Sequence, residues 1–125
     1  MLGSSPVVAF VGTRDAARAR AFYGDTLGLR LASDELPFAL VYDANGTMLR
    51  VTPVPQMEPA KYTVLGWKVA DIAGTAGRLQ RAGVQFQRYP GMVQDELGIW
   101  TSPSGARVAW FPDPDGNLLS ITQLP

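Results

Sequence analysis

The sequence of 125 residues predicts an α+β domain built from two similar halves, each a strand, a helix and a three-stranded tail. Two internal repeats lead there. Asp43-Ala44-Asn45-Gly46-Thr47-Met48-Leu49-Arg50-Val51-Thr52 returns seventy positions on as Asp113-Pro114-Asp115-Gly116-Asn117-Leu118-Leu119-Ser120-Ile121-Thr122. Each copy is a turn followed by a strand-like run: Asp bonds the backbone ahead of it, and Gly supplies a positive φ. Val7 to Asp15 likewise aligns with Thr63 to Asp71 at an offset of fifty-six, each an apolar strand leading to Asp and an Ala-rich segment. Two matched pairs at a fixed order indicate duplication. The difference in offset places about fourteen extra residues in the second half, around Met92 to Gly105.

In chain order, Val7 to Val11 is a β-rich apolar run. Asp15 to Asp25 reads as a helix with Ala17, Ala21 and Phe22 inward. Asp15 opens it, because a carboxylate accepts from the unpaired N–H groups at the positive end of the helix dipole, and Gly28 marks its exit. Leu29 to Ala32, Phe38 to Tyr42 and Thr47 to Thr52 follow as strands. Residues 6–52 thus form a first module. The proline-rich stretch within 53–61 is a linker, since proline cannot continue a ladder. Residues 62–123 form the second module. Tyr62 to Val69 is its opening strand, and Asp71 to Ala82 its helix with Ile72, Ala76 and Leu79 inward. Val84 to Tyr89, Leu97 to Thr101, Arg107 to Phe111 and Leu118 to Gln123 are its strands. The whole of 1–125 reads as one domain.

Composition narrows the chemistry. Apolar residues make up 46% of the chain, enough for a core without staples. There is no cysteine and no histidine, so thiolate chemistry, disulfides and the commonest metal ligand and general base are all missing. Eleven basic and eleven acidic residues cancel and are scattered, which argues against nucleic acid or an anionic membrane as partner. No run reaches the length of a membrane span. Met1 to Pro6 lacks the charged and apolar regions of a signal peptide, so the expected location is the cytoplasm.

Phe22-Tyr23-Gly24-Asp25-Thr26-Leu27-Gly28-Leu29 resembles the helix exit of the glyoxalase/bleomycin resistance/dioxygenase family, the vicinal oxygen chelate superfamily. Trp110-Phe111-Pro112-Asp113-Pro114-Asp115-Gly116-Asn117-Leu118-Leu119 resembles that family's last hairpin, and the resemblance runs from about Val7 to Gln123. It implies two βαβββ modules whose curved mixed sheet wraps around a cavity, and a homodimer. It also implies metal ligands at four positions, early in each module's first strand and late in its last. Here those positions hold Val8, Arg50, Val64 and Ser120. Two valines and an arginine offer no lone pairs to a divalent metal, and one serine is a poor ligand. The expectation is no metal and no cofactor.

Strand alternation around these positions suggests a cavity lining. Val8 and Phe10, then Met48, Arg50 and Thr52, share one face in the first module. Val64 and Lys68, then Leu118, Ser120 and Thr122, do so in the second. If each repeated turn carries a one-residue bulge after its Gly, Phe38, Leu40 and Tyr42 face inward, as do Val108 and Trp110. Ala9, Val11, Leu49, Val51, Leu65, Leu119 and Ile121 then lie under the helices. A register shift of one residue would exchange the two sets. Such a mostly apolar, aromatic lining suits a small molecule.

Arg50 is the sharpest candidate. A buried guanidinium without a partner is costly. It therefore either meets a ligand's carboxylate or enolate oxygen, or pairs with an internal acid such as Glu96 or Asp95, or reaches solvent. Lys68 has the same readings. Tyr42 and Trp110 are stacking candidates or core residues. Trp100 lies at a cavity rim or an interface, while Trp67 packs under a helix. Asp95-Glu96 reads as a solvated loop pair or a general base. Asn45-Gly46-Thr47 reads as a hairpin rather than a glycosylation site, and Asp113 to Asn117 lacks the distal Glu of a calcium loop. Ser102 and Ser104 have no base beside them. The leading expectation is a metal-free protein binding a small apolar or aromatic molecule, an anionic one included. Its expected contacts are Phe10, Phe38, Leu40, Tyr42, Met48, Arg50, Lys68, Trp100, Trp110 and Ser120. The alternatives are a metal-independent lyase or isomerase using Arg50 to stabilise an oxyanion, and a dimerising module without a site.

Overall fold

A computed structural model describes residues 1–125. The chain divides into two compact units, Met1–Glu58 and Pro59–Pro125. Each is a βαβββ module with one four-stranded mixed sheet.

The first unit runs β1 (Val8–Thr13), α1 (Ala16–Arg20), β2 (Arg30–Glu35), β3 (Ala39–Ala44) and β4 (Thr47–Pro53). Its strand order is β1-β4-β3-β2, with β1 parallel to β4 and the other pairs antiparallel. Asp15 caps α1 by accepting from the Arg18 N–H at 3.0 Å. The helix then widens over Ala21–Thr26 into π-type winding, in which the Leu27 N–H reaches back five residues to the Phe22 carbonyl. Ala19 and Tyr23 are buried, while Ala17 and Ala21 are exposed and Phe22 is half-buried, so the expected stripe of Ala17, Ala21 and Phe22 is corrected. Tyr23 has far more apolar surface to hide than either alanine. Leu40, Tyr42, Leu49 and Val51 complete this core with it.

The second unit runs β5 (Leu65–Lys68), α2 (Ile72–Arg81), β6 (Trp100–Thr101), β7 (Arg107–Pro112) and β8 (Leu118–Gln123), ordered β5-β8-β7-β6. Asp71 caps α2 through the Gly74 N–H at 3.0 Å. Ile72 and Ala76 are buried and Leu79 half-buried, as the sequence predicts. Phe111, Leu119, Ile121 and Ala109 form the core beneath α2, which packs on β7 and β8.

Three expected strands differ, the opening strand shortening from Tyr62–Val69 to the four residues of β5. Leu97 to Thr101 shortens to the two residues of β6, and Val84 to Tyr89 is not a strand. For the last two the reason is the Gln94 side chain, which occupies the place of a neighbouring strand. It accepts from the Tyr89 N–H at 2.8 Å and donates to the carbonyls of Gln87 and Gly98, both at 2.9 Å. The segment keeps one backbone bond to the sheet, from Gln87 N–H to the Trp110 carbonyl.

The repeated turns also differ. Asn45 and Gly46, with φ of 51° and 94°, form a two-residue loop between Ala44 and Thr47. Both residues have positive φ, which defines the tightest hairpin connection. In the second copy Pro114 takes the place of Ala44, the residue that closes the first loop opposite Thr47, and with no N–H it cannot make that ladder pair. The chain instead closes five residues, with Gly116 N–H on the Asp113 carbonyl, Asp113 N–H on the Asn117 carbonyl, and Gly116 (φ 89°) as the bulge. The bulge is thus present in the second hairpin and absent from the first.

Candidate functional site

That one-residue difference decides which side chains reach each sheet's open face, the face away from its helix. In the first module the ladder sets Phe10 beside Arg50 and Arg50 beside Val41. Tyr42 pairs with Leu49 and Leu40 with Val51, on the helix side. The expectation that Leu40 and Tyr42 face inward with Arg50 is therefore corrected, because the first turn has no bulge. Tyr42 is 1% exposed, its ring tilted against Tyr23 at 6.2 Å. Its hydroxyl has no hydrogen-bond partner in the chain, and burial pushes its pKa up. Phe38 lies in the turn ahead of β3 and is 75% exposed, so its expected strand position is corrected too.

Phe10 and Met48 project from the open face and are exposed, Phe10 by 62%. Arg50 Nη1 lies 3.7 Å from Glu35 Oε1, across Val41 on the same face. Its carboxylate neighbour is thus Glu35, not Glu96 or Asp95. Asp95 has a structural task, since its Oδ1 accepts from the N–H groups of Leu97 and Ile99, each at 2.9 Å.

The second module brings its candidates together. Gly66, Ser120 and Trp110 form one row across β5, β8 and β7, and Lys68, Thr122, Val108 and Trp100 form the next. Here the bulge puts Trp110 and Val108 on the face of Ser120, as the sequence predicts. Trp110 is enclosed by two rings: Tyr89 meets it edge-on at 5.6 Å, and Trp100 lies tilted at 6.0 Å. These separations are those of favourable aromatic pairs. Trp100 also borders a groove of about 640 Å³ along edge strand β6, walled by Met92, Val93, Gln94, Thr101 and Pro103. That volume lies within the usual range for small-molecule sites. Arg88 reaches that wall by donating to the Gln94 carbonyl at 3.4 Å, and donates also to the Glu96 carbonyl at 2.8 Å. Lys68 is exposed at the end of β5.

Sequence reasoning missed Tyr89, Gly66 and Gln94. Gly66 lies between Val64 and Lys68 in the same alternation, but it has no side chain to draw notice. Tyr89 precedes Pro90-Gly91, a turn signal that places it at a segment end. Nothing local marks Gln94 as a surrogate strand.

The metal positions implied by the fold are poorly suited to a cation. Val8, Val64 and Arg50 supply no lone pair, and nowhere do three His, Cys, Asp or Glu side chains gather in a way that would hold a metal ion. No helix is long and apolar enough to cross a membrane.

Duplicated βαβββ modules with an aromatic open face define a class, and comparison with known proteins agrees. Residues 6–121 match the Glyoxalase/Bleomycin resistance protein/Dioxygenase superfamily, and the chain belongs to that superfamily. Among solved structures, a glyoxalase/bleomycin resistance protein from Catenulispora acidiphila superposes with a TM-score of 0.73 at 21% identity, over 98% of this chain and 100% of that one. A bleomycin-binding protein complexed with bleomycin gives 0.72 at 21% identity, over 98% and 100%. A lactoylglutathione lyase from Agrobacterium tumefaciens gives 0.72 at 16% identity, over 95% and 93%. Likeness at this level of identity establishes the fold alone. No curated protein matches the sequence.

Proposed function

We propose that this protein binds a small apolar or aromatic molecule without a metal ion, using the open face of its second module. The observation that carries this reading is the Tyr89–Trp110–Trp100 wall beside the groove along β6. Clustered rings supply affinity without a group that titrates near neutrality, which suits a chain lacking histidine and cysteine. A similarly folded bleomycin-binding protein is complexed with bleomycin, a precedent for small-molecule binding on this fold. Arg50, on the first module's open face, offers a charge to an anionic ligand. The exposed Val8, Phe10 and Met48 of that face support a homodimer, because clustered apolar surface favours burial.

Titration with a panel of aromatic probes, followed by tryptophan fluorescence, tests the reading. Saturable quenching is expected, insensitive to a strong chelator and lost in Trp110→Ala. Stoichiometric metal whose removal abolishes binding overturns the metal-free assignment, and turnover of a bound probe replaces binding with catalysis. Sedimentation of the purified chain tests the dimer, and a monomer at micromolar concentration refutes it.

A further inference from the structure

We infer that Ser120 is the polar anchor of the aromatic face, selecting planar ligands that carry one uncharged hydrogen-bonding group at their edge. The inference rests on the binding reading above and specifies the ligand class. Ser120 is 8% exposed, and its hydroxyl makes no hydrogen bond within the chain. Unlike the sealed Tyr42 hydroxyl, its Oγ is not among the fully inaccessible unpaired atoms. A buried hydroxyl without a partner is unfavourable, and one that an incoming group can still reach is a recognition point.

The neighbours on either side of Ser120 shape that point. On β5 stands Gly66, where a Cβ would lie 2.6 Å from Ser120 Oγ and 3.3 Å from the Ser120 carbonyl oxygen. Only glycine leaves the hydroxyl its present position. On β7 stands Trp110, directly opposite, with its ring held by Tyr89 and Trp100. Adjacent strands are about 4.8 Å apart. A planar ligand lying against Trp110 therefore brings an edge substituent over Ser120 and the space left by Gly66. The hydroxyl both donates and accepts, so it matches a phenol, a carbonyl or an amide. The corresponding row of the first module, Phe10–Arg50–Val41, is built differently and carries a charge.

Equilibrium dialysis of the full chain near neutral pH with 2-naphthol and its near-isostere 2-methylnaphthalene tests this. The naphthol is expected to bind about tenfold more tightly, the difference one hydrogen bond makes. Ser120→Ala should weaken naphthol binding to the level of the methyl compound and leave the latter unchanged. Gly66→Ala, which displaces the hydroxyl, should do the same, and it carries the test if Ser120→Ala does not fold. Equal affinity for the two probes, or a preference that survives Ser120→Ala, overturns the inference while leaving the aromatic site standing. Failure of both probes to bind overturns the site reading and the inference with it.

Discussion

Ser120 stands opposite Trp110 across the β7–β8 ladder, whereas Arg50, its counterpart in the first repeat, stands opposite Val41 rather than Leu40, the counterpart of Trp110. Seventy residues separate each pair of counterparts, yet the hairpins differ by one residue in register. A slip of one turns every side chain of a strand to the other face. The duplicated modules therefore present different chemistry from nearly the same pattern, aromatic in the second and cationic in the first.

The two turn glycines should respond unequally to substitution. Gly46 has a φ of 94° with open space around its missing Cβ, so Gly46→Ala incurs backbone strain alone, about 1 kcal/mol. Gly116 has a similar φ of 89°, but a Cβ there would also lie 3.2 Å from Pro59 Cγ. Urea unfolding should show Gly116→Ala as the more destabilising change. The opposite order would refute the steric account of the second hairpin.

Tyr42 should gain stability by losing its hydroxyl. The oxygen is buried without a partner, so Tyr42→Phe is expected to be neutral or stabilising by up to about 1 kcal/mol. Desolvation raises the folded pKa, so the unfolded chain ionises first as pH increases. The stabilising contribution is complete below the unfolded value of about 10 and is lost as pH rises through the raised folded value. Thermal melts on the alkaline side should therefore decline more steeply for the native chain than for Tyr42→Phe.

Asp43 makes the opposite prediction on the acid side. The Gly46 N–H, at 2.7 Å from its carboxylate, and then Arg30, at 3.0 Å, hold its pKa below the usual aspartate range. A lowered folded pKa stabilises above the unfolded value of about 3.9 and loses that contribution as pH falls through the folded value. Asp43→Asn keeps an acceptor for Gly46 but removes the charge. Its melting temperature should therefore vary less than that of the native chain as pH falls from about 5 towards 2. Identical profiles for the two chains would remove Asp43 from the acid transition.

Much of this architecture was legible because its signals are local. Asp15 and Asp71 cap their helices, Gly28 and Gly83 end them with positive φ, and Leu118–Gln123 forms the last strand as read. The face of Trp110 was readable from the bulge that follows Pro114. The same bulge does not follow at Asn45-Gly46, because Asn45 takes positive φ in a two-residue loop closed by Ala44, whereas Pro114 in Ala44's place has no N–H for that closure, a distinction present in the sequence but hidden by the shared Asp-x-x-Gly spacing. The inward pair Ala19 and Tyr23 keeps ordinary i, i+4 spacing, but a segment rich in alanine offers little apolar contrast to show which alanines face the core. Gln94 acts through three backbone groups distributed along the chain, so no window around it marks the role.

Arg50→Met separates charge recognition from fold stability. The Arg50–Glu35 contact is long at 3.7 Å, and the two side chains are 27% and 47% exposed. Pairs of this kind contribute no more than about 1 kcal/mol, because solvent screens them and ordering two long side chains costs entropy. Methionine keeps most of the aliphatic length beside Phe10 and Val41, so urea unfolding should shift by less than about 1 kcal/mol. Binding is the informative readout. If Arg50 receives an anionic group, the native chain should bind benzoate more tightly than benzyl alcohol, and Arg50→Met should erase that difference without weakening the alcohol. A benzoate preference unchanged in the variant would assign Arg50 to pairing with Glu35 alone.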